Sequence, residues 1–145
     1  MKKTPLKKVK AGDVLRMPLS KDVFVFAKIL YSSRRYLGVM LLGLARGLHS
    51  SSLPPNLDFT AGLFYTAVTC PAYNGWEVVG QVPPSVSETA CALRIVAGNV
   101  WLGDTHTRPA TDKDYASLPQ MDVLGCALLQ KKIHEFYNHA IPMFD

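Results

Sequence analysis

The 145-residue chain is 48% hydrophobic and 19% charged, which supplies one folded core and argues against a disordered tail or an acidic solvating segment. No run approaches the roughly 18 uninterrupted apolar residues of a membrane span, since the most apolar window, Tyr36 to Leu44, is bounded by Arg35 and Arg46. The net charge of +5 is uneven: residues 1–35 hold ten of the sixteen Lys and Arg but two of the eleven carboxylates. Such a basic end points to an anionic partner without choosing between nucleic acid and an acidic protein surface.

Residues 1–11 form a basic lead-in. Lys2 and Lys3 are followed by Pro5, Lys7, Lys8 and Lys10 where a signal peptide would carry an apolar core, so a cytoplasmic location is expected. Gly12-Asp13 then supplies a turn before a strand over Val14–Leu19, which Pro18 marks as an edge strand because proline cannot donate to a ladder. Val23–Tyr31 is apolar on both alternating faces, with Lys28 the exception, and reads as a central strand covered on both sides. The parity groups Tyr31 with Val25, Ala27 and Ile29. Ser32 to Arg35 makes a hairpin loop into Tyr36–Leu44, where Gly38 and Gly43 permit a bend or bulge. This strand reads equally as core or as part of a dimer face.

A Ser/Pro-rich loop over His49–Asn56 precedes a strand at Leu63–Thr69. Pro71 to Gly75 is a turn-rich link, and Trp76–Val82 is a strand that stops at Pro83-Pro84. Ala92–Val96 and Val100–Gly103 flank Gly98-Asn99, a two-residue hairpin signal. Thr105–Ser117 is polar and irregular, with Asp112 and Asp114 in a capped helical turn. The last element is a helix over 117–139, capped by Ser117 or Asp122, with an apolar stripe from Val123 and Leu124 through Leu128, Leu129, Ile133 and Tyr137. The layout predicts one domain over 1–145, mainly β over 12–103. Its class is α+β, a small, strongly curved and partly barrel-like antiparallel sheet of about six or seven strands under a C-terminal helix.

No motif assigns chemistry. Cys70, Cys91 and Cys126 stand 21 and 35 positions apart, too far for a zinc knuckle or redox motif, and an odd number closes no disulfide set. Free cysteines in a reducing compartment are expected. His134 and His139 lack the spacing that puts two ligands on one helix face. Asp104 and His106 are two apart, as an orienting pair on an extended segment would be, but no nucleophile elbow accompanies them. No glycine-rich loop cradles phosphate. Catalytic, metal and cofactor residues are therefore left unassigned. Lys28, Arg34, Arg35, Tyr36 and Tyr31 have the basic and aromatic character of a nucleic-acid groove, although a solvated hairpin tip explains them too. Trp76 and Trp101 read as core.

Three pieces stand in a suggestive order: Gly12-Asp13-Val14 with Pro18-Leu19, then Phe26-Ala27-Lys28-Ile29-Leu30, then Trp76-Glu77-Val78-Val79-Gly80 with Pro83. Over residues 9–103 this resembles the immunity protein 26 family of bacterial polymorphic toxin systems, with its "GDV…P" opening and later "W..(I/V)(I/V)G..P" strand. Ala27 stands where that family often has glycine, an exchange that an extended strand tolerates. The resemblance implies a protein, not an enzyme, that binds and neutralises a cognate toxin. Its motif residues are fold residues, so contact residues come from chemistry alone: Arg34, Arg35 and Tyr36 on the hairpin, and Arg46 and His49 on the loop that follows. Two other readings stay open. One is a small β-barrel that binds nucleic acid. The other is a toxin-type endoribonuclease using His106, or Arg34 and Arg35.

Overall fold

Strand β2, Val23–Ser32, is the spine of the molecule, and residues Val25 through Leu30 are buried on both faces. The computed structural model describes residues 9–33, 38–47, 53–54 and 56–140. On either side of β2 lie β1 (Asp13–Ser20) and β3 (Val39–Leu44), both antiparallel to it. Beyond these come β4 (Gly62–Ala67) next to β3 and β5 (Glu77–Gln81) next to β1. A two-residue strand, β9 (Val123–Leu124), adds to β4 in parallel. The order β5-β1-β2-β3-β4-β9 leaves β5 and β9 as separate edges, so the sheet is open and not closed into a barrel. A second sheet is formed by β6 (Leu93–Val96), β7 (Asn99–Leu102) and β8 (Thr105–Pro109). Short helices α1 (Cys70–Tyr73), α2 (Val86–Ala90) and α3 (Asp112–Ser117) fill the connections, and α4 (Cys126–Ala140) closes the chain. The mainly β architecture with a C-terminal helix is thus as expected.

The two faces of the large sheet bury different cores. One gathers Leu15, Val25, Ala27, Ile29, Met40, Leu42 and Trp76 under Leu129, Ile133 and Tyr137 of α4. The other gathers Val14, Phe26, Leu30, Leu41, Phe59 and Tyr65 with Ala92. Alternation along β2 explains the split. It also settles β3: Met40 through Leu44 are buried within the sheet, so these residues are core and not a dimer face.

Several local expectations are corrected by pairing. β1 is not an edge strand, because β5 pairs with it over Asp13–Arg16. Pro18 is tolerated because it lies past the end of that pairing, just before a bulge at Pro18/Ser20. The second hairpin turns on Ala97-Gly98, since Val96 pairs with Asn99, and both turn residues have positive φ (49° and 81°). Helix α4 starts at Cys126, well after Ser117 and Asp122, because Val123 and Leu124 are spent in β9. Leu128 is exposed, which narrows the buried stripe. β8 emerges from the segment expected to be irregular; it is exposed at every position, so no apolar alternation announced it.

Tyr31 carries the correction that matters most. A bulge between Ile29 and Tyr31 flips the parity, and Tyr31 packs beside Leu30 on the second core. That turns its ring away from α4 and toward the small sheet.

Gly43 sits in regular register between Lys28 and Leu63, so it makes no bend. It is required because a Cβ there would collide with the Phe59 carbonyl and lie 2.7 Å from Leu30 Cδ1. Backbone cannot step aside as a flexible side chain does. We expect Gly43→Ala to destabilise by about 2 kcal/mol in urea unfolding, whereas Gly38→Ala, with open space around its Cβ, suffers only from its positive φ of 88°.

Candidate functional site

The seam between the two sheets concentrates the polar interior. Arg94, on β6, is completely buried at 0% exposure. Its Nη1 donates to the carbonyls of Ala92 (3.1 Å) and Gly103 (2.6 Å). The guanidinium carbon lies 5.2 Å from the ring centroid of Tyr31 and 5.3 Å from that of Tyr65, cation–π distances that suit a weakly hydrated planar cation. Among the described residues, Nε, Nη2 and the buried hydroxyl of Tyr65 have no partner within 3.5 Å in hydrogen-bond geometry. Burial pushes the Tyr65 phenol up to about 12, against the opposing pull of Arg94. The Tyr31 hydroxyl donates to Asp104 Oδ1, which also accepts from Ser33 Oγ at 2.7 Å. Burial and that carboxylate raise the Tyr31 phenol, against the opposing hydrogen bonds of Ser33 and Arg94.

A second polar group lies beneath α2. Lys28, only 4% exposed, projects from β2 and donates to Glu88 Oε1 at 2.7 Å. Glu88 also closes a capping box: Ser85 Oγ accepts from the Glu88 N–H, and Glu88 accepts from the Ser85 N–H. Burial alone would raise the Glu88 carboxyl, but the hydrogen bonds from Lys28 and Ser85 prevail and hold it below its usual value. The pair lines a pocket of about 310 Å³ with Val14, Asn56, Phe59 and Val82.

The residues singled out from the sequence scatter. Arg34, Arg35, Tyr36 and His49 lie outside the described residues. Arg46 is exposed just past β3, and its charge helps Thr60, whose hydroxyl and N–H come first, to lower the Asp58 carboxyl. Ser33 and Gly38, which flank the hairpin tip, are at the other end of β3 from Arg46, six strand residues or roughly 20 Å away. Lys28 and Tyr31, considered for a nucleic-acid groove, are consumed by Glu88 and Asp104. Asp104 and His106 do not orient each other: His106 Nε2 lies 3.0 Å from Asn99 Oδ1, and its ring meets that of Trp101 edge-on. Trp76 is core, as expected; Trp101 is half-buried. Asp114 caps α3 as expected, and Arg108 and the Thr111 N–H hold its carboxyl well below the usual range. Among the described residues no three His, Cys, Asp or Glu side chains cluster as metal ligands.

The cysteines overturn an expectation. Cys70, in α1, and Cys126, the first residue of α4, form a disulfide with Cα atoms 5.1 Å apart, and Cys91 alone is free. Two features of the sequence mark the buried polar groups. Leu93-Arg94-Ile95-Val96 sets one charge in an apolar strand, and Ser85-x-x-Glu88 is a capping box. On the outside, Tyr73 of α1 (77% exposed), Val78 and Val79 of β5, Val82 just after it and Val86 at the start of α2 (89% exposed) are exposed apolar side chains. No described helix is long and apolar enough to cross a membrane. Comparison with protein-family models, with curated proteins and with solved structures gives no match.

Proposed function

We propose that the chain is an immunity protein, which binds and neutralises a cognate bacterial toxin by protein–protein interaction. The observation that carries this reading is the exposure of Tyr73, Val78, Val79, Val82 and Val86 on and around β5, an edge strand among the described residues. Exposed apolar side chains, with Tyr among them, are the material of interface anchors. The resemblance to the immunity protein 26 family supports it as well, and Trp76 and Gly80 of that motif border the same edge. Nucleic-acid binding is less favoured, because Lys28 and Tyr31 are engaged inside the fold. Disulfides persist in oxidising compartments, so the Cys70–Cys126 bond favours a toxin met outside the reducing cytoplasm and weakens the cytoplasmic location expected from the sequence.

The test is capture of partners by the tagged full chain, with and without nuclease, followed by co-expression. A partner that survives nuclease, arrests growth by itself and is silenced by this chain supports the proposal. Val82→Asp with Val86→Asp is expected to reduce that binding at least tenfold. Capture that collapses with nuclease overturns the proposal in favour of a nucleic-acid module.

A further inference from the structure

We infer that the cavity beneath α2 receives a phenol, with its hydroxyl on the Lys28–Glu88 pair and its ring among the apolar walls. The cavity, of about 310 Å³, is bounded by Val14, Leu53, Leu57, Phe59 and Val82 as well as by the pair itself. Leu53 and Val82 are also 39% and 54% exposed, so the space opens to solvent beside them. An apolar cavity of about 150 Å³ already holds benzene, which leaves room here for a substituted ring.

A count of donors and acceptors selects the polar end of the ligand. An ammonium carries three donors. Lys28 Nζ gives one to Glu88 Oε1 at 2.7 Å and one to the Pro83 carbonyl at 3.5 Å, so one N–H has no acceptor among the described residues. A carboxylate offers about four acceptor sites. Glu88 accepts from Lys28 and from the Ser85 N–H, and the Ser85 hydroxyl adds a third hydrogen bond. What remains is one donor and one acceptor, and a hydroxyl answers both from a single oxygen. A carboxylate ligand would bring no donor and would face the Glu88 charge. An ammonium would bring no acceptor and would face Lys28. The pair is neutral as a whole, so a neutral ligand leaves no buried charge uncompensated.

The walls select the rest of the ligand. Phe59 is buried, and its ring centroid lies 5.9 Å from Lys28 Nζ, which puts an aromatic partner beside the place the hydroxyl would take. A phenol is also more acidic than an aliphatic alcohol and makes the stronger hydrogen bond to an ionised acceptor. The phenol can come from a free small molecule or from a tyrosine of a partner protein, since both present the same group. The site does not rest on the toxin-binding reading, because the chain alone should bind a small phenol.

The experiment is titration of the isotope-labelled full chain with p-cresol, followed by amide chemical shifts and by calorimetry. Shifts are expected at Val14, Phe59, Val82 and Glu88. The affinity should exceed that for the methyl ether of p-cresol, which keeps the oxygen but cannot donate, by roughly tenfold or more. Lys28→Met should weaken p-cresol by about the same factor. Val82→Trp alters an exposed position at the mouth and leaves the pair intact, so it should block the cavity even if Lys28→Met fails to fold. Binding of N-acetyltyrosinamide with the same shifts supports the site and assigns the phenol to a protein's tyrosine. Binding of p-cresol alone supports it with a free phenol as the ligand. No binding of either phenol, equal affinity for the methyl ether, or shifts that persist in Val82→Trp would overturn the proposal.

Discussion

Reducing the Cys70–Cys126 disulfide is expected to lower stability by about 4 kcal/mol, the chain-entropy value for a closed loop of this length. The two cysteines are 56 residues apart in sequence, so the reduced unfolded chain regains a large loop's worth of freedom. The bond joins α1 to the start of α4, where Asn74 Nδ2 also donates to the Cys126 carbonyl at 3.3 Å, and beside it Thr66 Oγ1 of β4 donates to the Leu124 carbonyl of β9 at 2.7 Å. Past this anchor α4 sets Leu129, Ile133 and Tyr137 into the core. Urea unfolding with and without dithiothreitol measures the effect, and the Cys70→Ala/Cys126→Ala variant should show no dependence on reductant. Thiol titration of the native protein should find one free cysteine, Cys91. Its reaction should be slow, because burial, Glu88 and Asp58 all raise the thiol. A loss under about 1 kcal/mol on reduction would mean that packing of α4 holds the fold without the cross-link.

Breaking the Lys28–Glu88 pair should be strongly asymmetric. Glu88→Ala leaves the Lys28 ammonium almost wholly buried, with only the Pro83 carbonyl at 3.5 Å and the Phe59 ring at 5.9 Å near it among the described residues. The expected loss is about 3 kcal/mol. Lys28→Met keeps the volume and removes the charge, while Glu88, closer to the surface, can turn to water and keep its hydrogen bond with the Ser85 N–H. That loss should stay near or below about 1 kcal/mol. The double variant should then be more stable than Glu88→Ala alone, and a double-mutant cycle in urea measures the coupling.

The same pair predicts a pH dependence. The Glu88 carboxyl is lowered in the folded state from an ordinary 4.5. Its contribution is therefore fully present above pH 4.5 and is lost as the pH falls through the folded value. Glu88→Gln should flatten that part of the acid limb while lowering stability at neutral pH. An acid limb identical to the wild type would show that other carboxylates account for it.

Strand and helix identities were legible because burial periodicity is local. Val25 to Leu30 announce a strand covered on both faces, Leu129, Ile133 and Tyr137 a helix with a buried stripe, and Trp76 a core anchor. Thr111 and Asp114 announce a cap from residues three apart. These signals need only near neighbours, so the sequence by itself determined the mainly β class, the central place of β2 and the terminal helix.

Tertiary structure decided everything that depends on register. One extra residue at Ile29/Tyr31 moves the Tyr31 ring to the opposite face, and alternation carries no mark of it. Four paired positions within Thr105–Pro109 make a strand with no buried side, whose stabilising partners are backbone groups of β7. Cys70 and Cys126 give no sign in the sequence that they meet, because only the parallel return of β9 beside β4 brings the start of α4 to α1. Lys28 and Arg94 are buried by the packing around their strands, which alternation along a single strand does not record. Side-chain alternation records which way a residue points along its own strand; which atoms it then meets is set by bulges, crossovers and the packing of one sheet on another.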